Sequence, residues 1–324
     1  MTGMFLNLFE INFFYFYFFS MKFTTRNLAA YFVAEFLLKF GFVRKAIQNV
    51  LNEQVIISIF CHDPSKKFFE ANIKWLKKAG FAFISMEDLQ AISLNNKSFP
   101  QGAVIVTVDD GWVGNKENIV SIAHKYQIPI TIFVSTDPVY KGDAYWWSYI
   151  TEAIKKGLTK YSLQELKSVE DSIRVNEVES VKLKLPMQRE SLTIQDIQEL
   201  GDSSFITIQS HTVSHPILTN CTNKKAMYEI RESKRLIETW TNKPVFSFSY
   251  PNGNFSKREM QYLDDAGYQL AFTTRDNYIT PKNISEKFTL PRVDLIENIS
   301  FSENICRLTG VWFEKRDWLN KIFN

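Results

Sequence analysis

The chain has 324 residues, 45% of them apolar and 23% charged, which is ordinary for one large globular domain with or without appendages. A formal net charge of +3 without a basic stripe interleaved with aromatic residues gives no support for nucleic-acid binding. The three cysteines, Cys61, Cys221 and Cys306, are odd in number and far apart, which predicts neither a disulfide framework nor a CxxC metal pair.

The first twenty residues are a run of Phe, Tyr, Leu and Asn with one Glu. They lack the basic start and the small-residue cleavage site of a signal peptide, and they are short for a membrane span. Because Met21 followed by Lys22 is a more natural start, we interpret residues 1–20 as an upstream extension of the gene model, with a membrane anchor as the alternative. Residues 25–52 predict a helix that packs on the domain, and lying on a membrane is its alternative. Residues 1–52 are thus predicted as an N-terminal extension.

From Val55 onward the pattern alternates between strand and helix. Strands are predicted at 55–60, 81–84, 103–108, 130–134, 205–209, 245–249 and 269–273. Helices are predicted at 66–79, 86–92, 116–126, 193–200, 223–240 and 256–266. This alternation predicts an α/β fold with a parallel sheet or a barrel, whose active site lies at the carboxyl ends of the strands. We place this domain at 53–298, with a helical insertion at 138–192 and a C-terminal helical segment at 299–324.

Two adjacent carboxylates, Asp109 and Asp110, follow the strand that ends at Val108. Gly111 supplies a break after them, and the twist at a strand end can turn both side chains toward one cavity. Two like charges this close disfavour each other's ionisation unless a cation or a donor lies between them. We therefore expect one aspartate to bind a metal ion and its neighbour to stay free as a base.

His211 and His215 give the strongest metal signal, because imidazoles four residues apart share one face of a helical turn and can both reach one ion. They are two of only four histidines in the chain. With the carboxylate of Asp110 they would leave coordination positions open for water, as catalytic metal sites do. The alternative is a polar turn with solvated histidines.

Three motifs in this order resemble those of NodB-type polysaccharide deacetylases, carbohydrate esterase family four. The first two are Thr107-Val-Asp-Asp-Gly and His211-Thr-Val-Ser-His, and the third is Phe248-Ser-Tyr-Pro-Asn-Gly in its Tyr-Pro-x-Gly form. The resemblance covers residues 55–295 and implies a distorted (β/α)7 barrel with one divalent metal ion, for which Zn²⁺ is expected.

The resemblance also implies the roles of individual residues. Asp110, His211 and His215 would bind the metal, and Asp109 would be the general base. The backbone N–H of Tyr250 would stabilise the oxyanion, aimed inward by the turn that Pro251 and Gly253 favour. An ordinary turn at the end of a strand is the alternative for this third segment.

Two departures from the family pattern concern the base and the acid. The third motif lacks the Arg that holds the base in many members, and Arg292 in Leu290-Pro-Arg-Val-Asp resembles the Arg that takes over this role, with a surface ion pair as the alternative. Many members use a late His as the general acid, but no His follows His215. His62, in a segment that resembles the early Tyr-His motif of poly-N-acetylglucosamine deacetylases, is predicted as the acid, and a capping or core His is the alternative.

Aromatic residues near the predicted site are assigned to substrate binding. Trp112 follows the paired carboxylates after Gly111. Tyr145, Trp146 and Trp147 lie in the insertion, where they either stack on sugar rings or form the private core of the insertion.

The sequence thus predicts a metal-dependent hydrolase that removes the acetyl group from an N-acetylated amino sugar in a glycan or glycan precursor. A deformylase or other small-amide hydrolase on the same fold is one alternative, since loops set the substrate. A non-catalytic carbohydrate-binding relative is another. The expected location is the cytoplasm or the cytoplasmic face of the membrane, with membrane association through residues 1–50.

Overall fold

Eight strands form in the part of the chain that a computed structural model describes, residues 21–312. They coincide with short runs of apolar and small residues, most of them fully buried. The strands are β1 (Ile56–Cys61), β2 (Ala82–Phe83), β3 (Ala103–Asp110), β4 (Ile130–Val134), β5 (Ile206–Ser210), β6 (Ser247–Ser249), β7 (Leu270–Phe272) and β8 (Val293–Asp294). All seven predicted strands are present, and the two-residue β8 is additional.

Helices fill most of the connections between the strands. Many begin at a Ser or Thr whose side chain accepts a backbone N–H of the first turn, as Ser65 does for α3. The α-helices are α1 (Thr25–Lys39), α2 (Phe42–Asn52), α3 (Lys66–Ala79), α4 (Met86–Ser93), α5 (Ser121–Tyr126), α6 (Thr136–Lys141), α7 (Trp146–Lys155), α8 (Leu163–Leu166), α9 (Asp171–Lys182), α10 (Ile194–Gly201), α11 (Asn223–Thr241), α12 (Lys257–Asp265) and α13 (Phe301–Leu308). A π-helical turn spans Lys116–Val120, and 3₁₀ turns span Leu218–Asn220 and Pro251–Gly253.

The strands pair in parallel in the order β7-β6-β5-β4-β3-β1-β8, and β2 pairs with β3 beside this path. The segment around β8 bonds its neighbour β1 and also β7, the strand at the opposite end of this order. The N–H of Leu290 donates to the carbonyl of Ala271 in β7 at 2.9 Å, and the N–H of Leu295 donates to the carbonyl of Phe60 in β1 at 2.9 Å. The sheet therefore curls into the expected distorted (β/α)7 barrel.

The alternation of side chains along β3 decides which of its residues face the interior of the barrel. Val104, Val106 and Val108 pack in the apolar cluster between the sheet and its helices. Ala103 and Ile105 pack in a second cluster, inside the curl of the sheet. Because residues two apart share one face of a strand, Thr107 and Asp109 continue the inward series toward the carboxyl end of the barrel.

The N-terminal helix prediction needs a correction. Residues 25–52 form two helices, α1 and α2, rather than one. Gly41 between them has a φ of 79°, in the left-handed region that glycine adopts readily and that interrupts a right-handed helix. Within residues 21–312 no helix combines the length and the apolar character that crossing a membrane requires.

The predicted insertion contains α7, α8 and α9. These helices share an apolar cluster of their own, which includes Trp146, Tyr149, Leu166, Val178 and Val181. In the predicted C-terminal segment the structure has one α-helix of eight residues, α13, and residues 313–324 lie outside the described part of the chain, as do residues 1–20.

Candidate active site

Three potential metal ligands from two strand ends converge at the rim of the barrel. Nε2 of His211 lies 3.5 Å from Oδ1 of Asp110, and Nε2 of His215 lies 3.3 Å from the same oxygen. One ligand atom from each residue lies within 4.8 Å of the other two. Asp110 and His211 are each 2% exposed, so two of the three ligand side chains are almost completely shielded from solvent.

The backbone at Asp110 explains how two neighbouring carboxylates serve one site. Strict alternation would turn Asp110 toward the helices with Val108, but its φ is 76°. A non-glycine residue in this region carries backbone strain and occurs mostly where function requires it. The left-handed backbone breaks the alternation, and Oδ1 of Asp110 faces the two histidines.

The segment from His211 to His215 is a loop, so the helical turn predicted for it is wrong. Thr212 and His215 have φ values of 70° and 51°, which no right-handed helical turn contains. The loop is held by Glu229 of α11, which is fully buried. Oε2 of Glu229 accepts the N–H groups of Val213 and Ser214, both at 2.8 Å. The two imidazoles therefore meet through a side-chain-braced loop.

The protonation of the histidines suits metal binding. Nδ1 of His211 lies 2.7 Å from the carbonyl oxygen of Ser249 and must donate to it, which leaves the lone pair of Nε2 directed at the cluster. Burial lowers the pKa of His211, and it holds the pKa of His215 well below its usual value. Both rings are therefore neutral near pH 7, the form that binds a metal ion.

The three side chains fit a divalent cation. Oδ1 of Asp110 is buried and has no hydrogen-bond partner among residues 21–312, although it lies between two imidazole nitrogens. A buried carboxylate oxygen without a donor is costly unless a cation neutralises it. Two imidazoles and one carboxylate form a donor set that zinc and other first-row ions accept.

Asp109 bonds Arg292 and is not part of the ligand cluster of Asp110, His211 and His215. Nη1 of Arg292 lies 2.8 Å from Oδ1 of Asp109, and Nη2 lies 2.7 Å from Oδ2. The hydroxyl of Ser249 also donates to Oδ2 at 3.1 Å. Burial raises the pKa of Asp109, but the charge and hydrogen bonds of Arg292 outweigh it, and the pKa lies well below its usual value. Arg292 is 0% exposed, which excludes the surface ion pair.

His62 lies at the same rim and is exposed. Its backbone carbonyl accepts a hydrogen bond from Nδ2 of Asn115 at 2.8 Å, which holds the loop after β1. Its ring centroid lies 5.8 Å from that of Phe60, and the same Phe60 ring packs against the guanidinium of Arg292 at 4.4 Å. Its role as the general acid stays a prediction.

The third motif requires a correction at Tyr250. Its backbone N–H donates to the carbonyl of Phe272 at 3.1 Å, in the ladder between the ends of β6 and β7. This N–H is therefore occupied and does not serve an oxyanion. Pro251 is buried, and Gly253 has a φ of 74°, with Thr274 so close that a Cβ would collide with its side-chain Oγ1 and lie 3.0 Å from its backbone nitrogen. The turn is thus fixed by packing.

Three of the aromatic residues donate hydrogen bonds to the predicted metal ligands, and a fourth, Trp147, has a partly exposed ring. Nε1 of Trp112 donates to Oδ2 of Asp110 at 2.9 Å, and Nε1 of Trp146 donates to the carbonyl of His215 at 3.0 Å. Tyr145 is buried, and its hydroxyl donates to the carbonyl of Asp110 at 3.0 Å. Trp147 is partly exposed, stacks on Tyr145 and lies with its ring centroid 4.4 Å from that of His215.

A comparison with models of protein families identifies the family of the chain. The family model described as Polysaccharide deacetylase matches residues 96–271, which is more than half of the chain. The chain belongs to the polysaccharide deacetylase family. Enzymes of this family are hydrolases that act on carbon–nitrogen bonds other than peptide bonds.

Relatives by sequence lie in the same polysaccharide deacetylase family. YxkH of Bacillus subtilis (strain 168), which carries the family's name, is 22% identical over 209 residues, or 64% of this chain and 58% of YxkH. The match thus spans less than two thirds of that relative. The poly-beta-1,6-N-acetyl-D-glucosamine N-deacetylase of Staphylococcus aureus (strain MSSA476) is 25% identical over 285 residues, or 86% of this chain and 84% of the relative.

Solved structures share the fold. The deacetylase PplD of Streptococcus pyogenes superposes with a TM-score of 0.59 at 19% identity, covering 79% of this chain and 98% of PplD. IcaB of Ammonifex degensii superposes with a TM-score of 0.58 at 15% identity, covering 80% of this chain and 98% of IcaB.

Three supporting residues of this polysaccharide deacetylase site are missing from the sequence predictions. Ser249 bonds both Asp109 and Arg292, and Glu229 braces the histidine loop. Asp294 lies near His62, and burial raises the pKa of its carboxyl. Only Asp294 had a usable signal, because it follows Arg292 by two residues and therefore shares its side of an extended segment.

Proposed function

We propose that this chain is a metal-dependent de-N-acetylase that hydrolyses the acetamide of an N-acetylated amino sugar in a polysaccharide. The observation that carries the proposal is the convergence of Asp110, His211 and His215 beside a second, ionised carboxylate, Asp109. Amide hydrolysis requires an electrophilic catalyst, a base that activates water and an acid that protonates the leaving amine.

Each requirement has a residue. Asp110, His211 and His215 would hold one divalent ion, with Zn²⁺ proposed, and a bound ion of this kind supplies Lewis acidity toward a carbonyl oxygen or a water molecule. Asp109 accepts the proton of the attacking water molecule, and Arg292 keeps this carboxylate ionised and oriented. His62 donates a proton to the amine nitrogen as the carbon–nitrogen bond breaks.

The substrate class rests on the Staphylococcus aureus relative, whose name gives poly-beta-1,6-N-acetyl-D-glucosamine as its substrate and which matches most of this chain. The partly exposed Trp147 next to His215 supports a sugar substrate, because an indole face stacks well on the apolar face of a sugar ring. We propose an N-acetylglucosamine polymer as the substrate of this chain.

The test measures bound metal and acetate release from N-acetylglucosamine oligomers by the purified full-length protein. We expect one zinc ion per chain and acetate release that stops in Asp109→Asn although the metal is retained. His62→Gln should also retain the metal and lose at least tenfold in kcat. Asp110→Asn should lose both metal and activity.

Two results would contradict this function. Release of formate from N-formylated oligomers without release of acetate would make the chain a deformylase. Binding of the oligomers by a zinc-loaded protein that cleaves neither substrate would make it a carbohydrate-binding relative.

A further inference from the structure

The outward side of α1 carries a row of exposed phenylalanines. Phe32, Phe36 and Phe40 follow each other at intervals of four residues and are 62%, 53% and 62% exposed. Residues at this spacing form one stripe along a helix. The rings of Phe36 and Phe40 contact each other with centroids 4.3 Å apart, and Leu28 and Val33, each 41% exposed, extend the stripe into a contiguous apolar patch.

The helix needs none of these residues for its packing on the protein. Its inward side is formed by Ala30, Ala34 and Leu37, which are buried in a cluster with Phe301 and Ile305 of α13. Within residues 21–312 only one side of α1 is packed, although the helix is apolar on both sides, so its second apolar surface needs an explanation. Contiguous exposed apolar patches on globular proteins mark interaction sites.

Basic residues lie on α1 and on α2, the helix that follows it. Residues 21–52 contain five Lys or Arg residues and one acidic residue, Glu35, which accepts a hydrogen bond from Ser302. Lys39, Arg44 and Lys45 are exposed and form no ion pair with any residue of the range 21–312. Lys39 lies three residues from Phe36, and thus beside the stripe on the helix surface.

We propose that the phenylalanine stripe of α1 docks on the surface of a bilayer that contains anionic phospholipids. Exposed Phe side chains on a helix insert at the boundary between headgroups and acyl chains, and flanking Lys and Arg residues bind the lipid phosphates. The same charges disfavour a second copy of the chain, because an interface between two stripes would bring Lys39, Arg44 and Lys45 of both copies together. The helix lies parallel to the membrane in this arrangement and does not cross it.

The experiment measures co-sedimentation of the full-length protein with vesicles of phosphatidylcholine that contain 30% phosphatidylglycerol. The triple variant Phe32→Ser, Phe36→Ser, Phe40→Ser should bind at least tenfold more weakly than the wild type. The charge variant Lys39→Glu, Arg44→Glu, Lys45→Glu should bind as weakly, and wild-type binding should fall on pure phosphatidylcholine vesicles. A matched control, Leu183→Ser with Tyr228→Ser, removes two exposed apolar side chains elsewhere and should bind like the wild type.

Three outcomes would overturn the proposal. The first is unchanged vesicle binding by the triple variant, whose circular dichroism and melting temperature verify that it folds. The second is loss of binding only in the variant Phe13→Ser, Phe14→Ser, Phe16→Ser, which would assign the membrane contact to residues 1–20. The third is a wild-type dimer that the triple variant dissociates, without vesicle binding by either, which would make the stripe a contact between copies.

Discussion

Arg292 and Asp109 form a fully buried pair in which both Nη atoms of the guanidinium bond both carboxylate oxygens, at 2.8 and 2.7 Å. The other donors of Arg292 bond the hydroxyls of Thr107 and Ser249 and the carbonyl of Thr273, so all five N–H groups are used. The guanidinium also lies 4.4 Å from the ring centroid of Phe60. A buried charge pair is tolerated only with such complete bonding, and here it fixes the carboxylate that faces the metal ligands.

Replacement of Arg292 by lysine should therefore damage activity far more than metal binding. An ammonium group keeps the charge but cannot reproduce the bidentate contact or the other three bonds. We expect Arg292→Lys to lower kcat for acetate release by on the order of a hundredfold and to lower the melting temperature by several degrees. Zinc content, measured on the same samples, should stay at one ion per chain.

Arg235 provides a matched control. It makes a bidentate contact with Glu232 at 2.8 and 2.6 Å, but its side chain is 60% exposed. Arg235→Lys should leave both activity and melting temperature unchanged, since exposed pairs contribute little to stability. Wild-type kcat in Arg292→Lys would show that Asp109 needs no positioning by Arg292.

Removal of one hydrogen bond to a ligand should weaken metal binding without unfolding the protein. Trp112→Phe deletes the Nε1–H that Oδ2 of Asp110 accepts at 2.9 Å and keeps an aromatic ring. Loss of such a supporting bond typically lowers metal affinity about 10- to 100-fold. Competition with a zinc chelator measures this affinity, after EDTA has removed the bound ion. Trp240→Phe on α11 is the control, and equal affinities of the two variants would contradict the role of Trp112.

Trp146 and Trp147 are neighbours with different expected roles. Trp146 is 6% exposed in the core of the insertion, and the guanidinium of Arg174 lies 4.9 Å from its ring centroid. Trp147 is partly exposed beside His215. We expect Trp146→Ala to lower the melting temperature, since it leaves a cavity. Trp147→Ala should instead raise KM for N-acetylglucosamine oligomers at an unchanged melting temperature. The reverse pattern in the two variants would exclude sugar stacking by Trp147.

The sequence was sufficient for the fold and for the side chains that meet at the rim. Alternating apolar runs predicted the seven strands, and strand ends placed Asp109, Asp110 and His211 at one edge. Asp110 and His215 reach the site through backbone conformations that the sequence pattern does not predict. Asp110 turns inward through a left-handed backbone conformation, and His215 reaches the site from a loop. Sequence spacing can predict that side chains meet, but it does not predict the backbone conformation that brings them together.

The remaining site residues depend on pairings that one sequence does not show. The N–H of Tyr250 is taken by Phe272 because β6 and β7 pair in that register, and a register cannot be read from two short strands. Glu229 lies in the middle of a long charged helix, where a glutamate normally faces solvent. Its burial follows only from the packing of α11 against β5 and the histidine loop.

Because Glu229 bonds the histidine loop but is not a ligand, a change at Glu229 tests how far metal binding depends on the conformation of this loop. Oε2 of Glu229 accepts two backbone N–H groups, Oε1 accepts the hydroxyl of Ser214 at 2.6 Å, and Lys225 lies 2.8 Å from Oε1. Glu229→Gln keeps the shape of the side chain but replaces one carboxylate oxygen with an NH₂ group. This NH₂ group would face the buried N–H or O–H donors of the loop without an acceptor between them. Each unsatisfied buried donor costs about 1–3 kcal/mol.

We expect Glu229→Gln to melt several degrees below the wild type even in EDTA, and to bind zinc more weakly, since the loop must hold Thr212 and His215 in left-handed conformations. Glu232→Gln, a partly exposed position on the same helix, is the control for the loss of one negative charge. Differential scanning calorimetry with and without zinc measures both effects. If Glu229→Gln retained wild-type zinc affinity while its apo form was destabilised, Glu229 would support the fold alone, and the two histidines would hold their geometry without it.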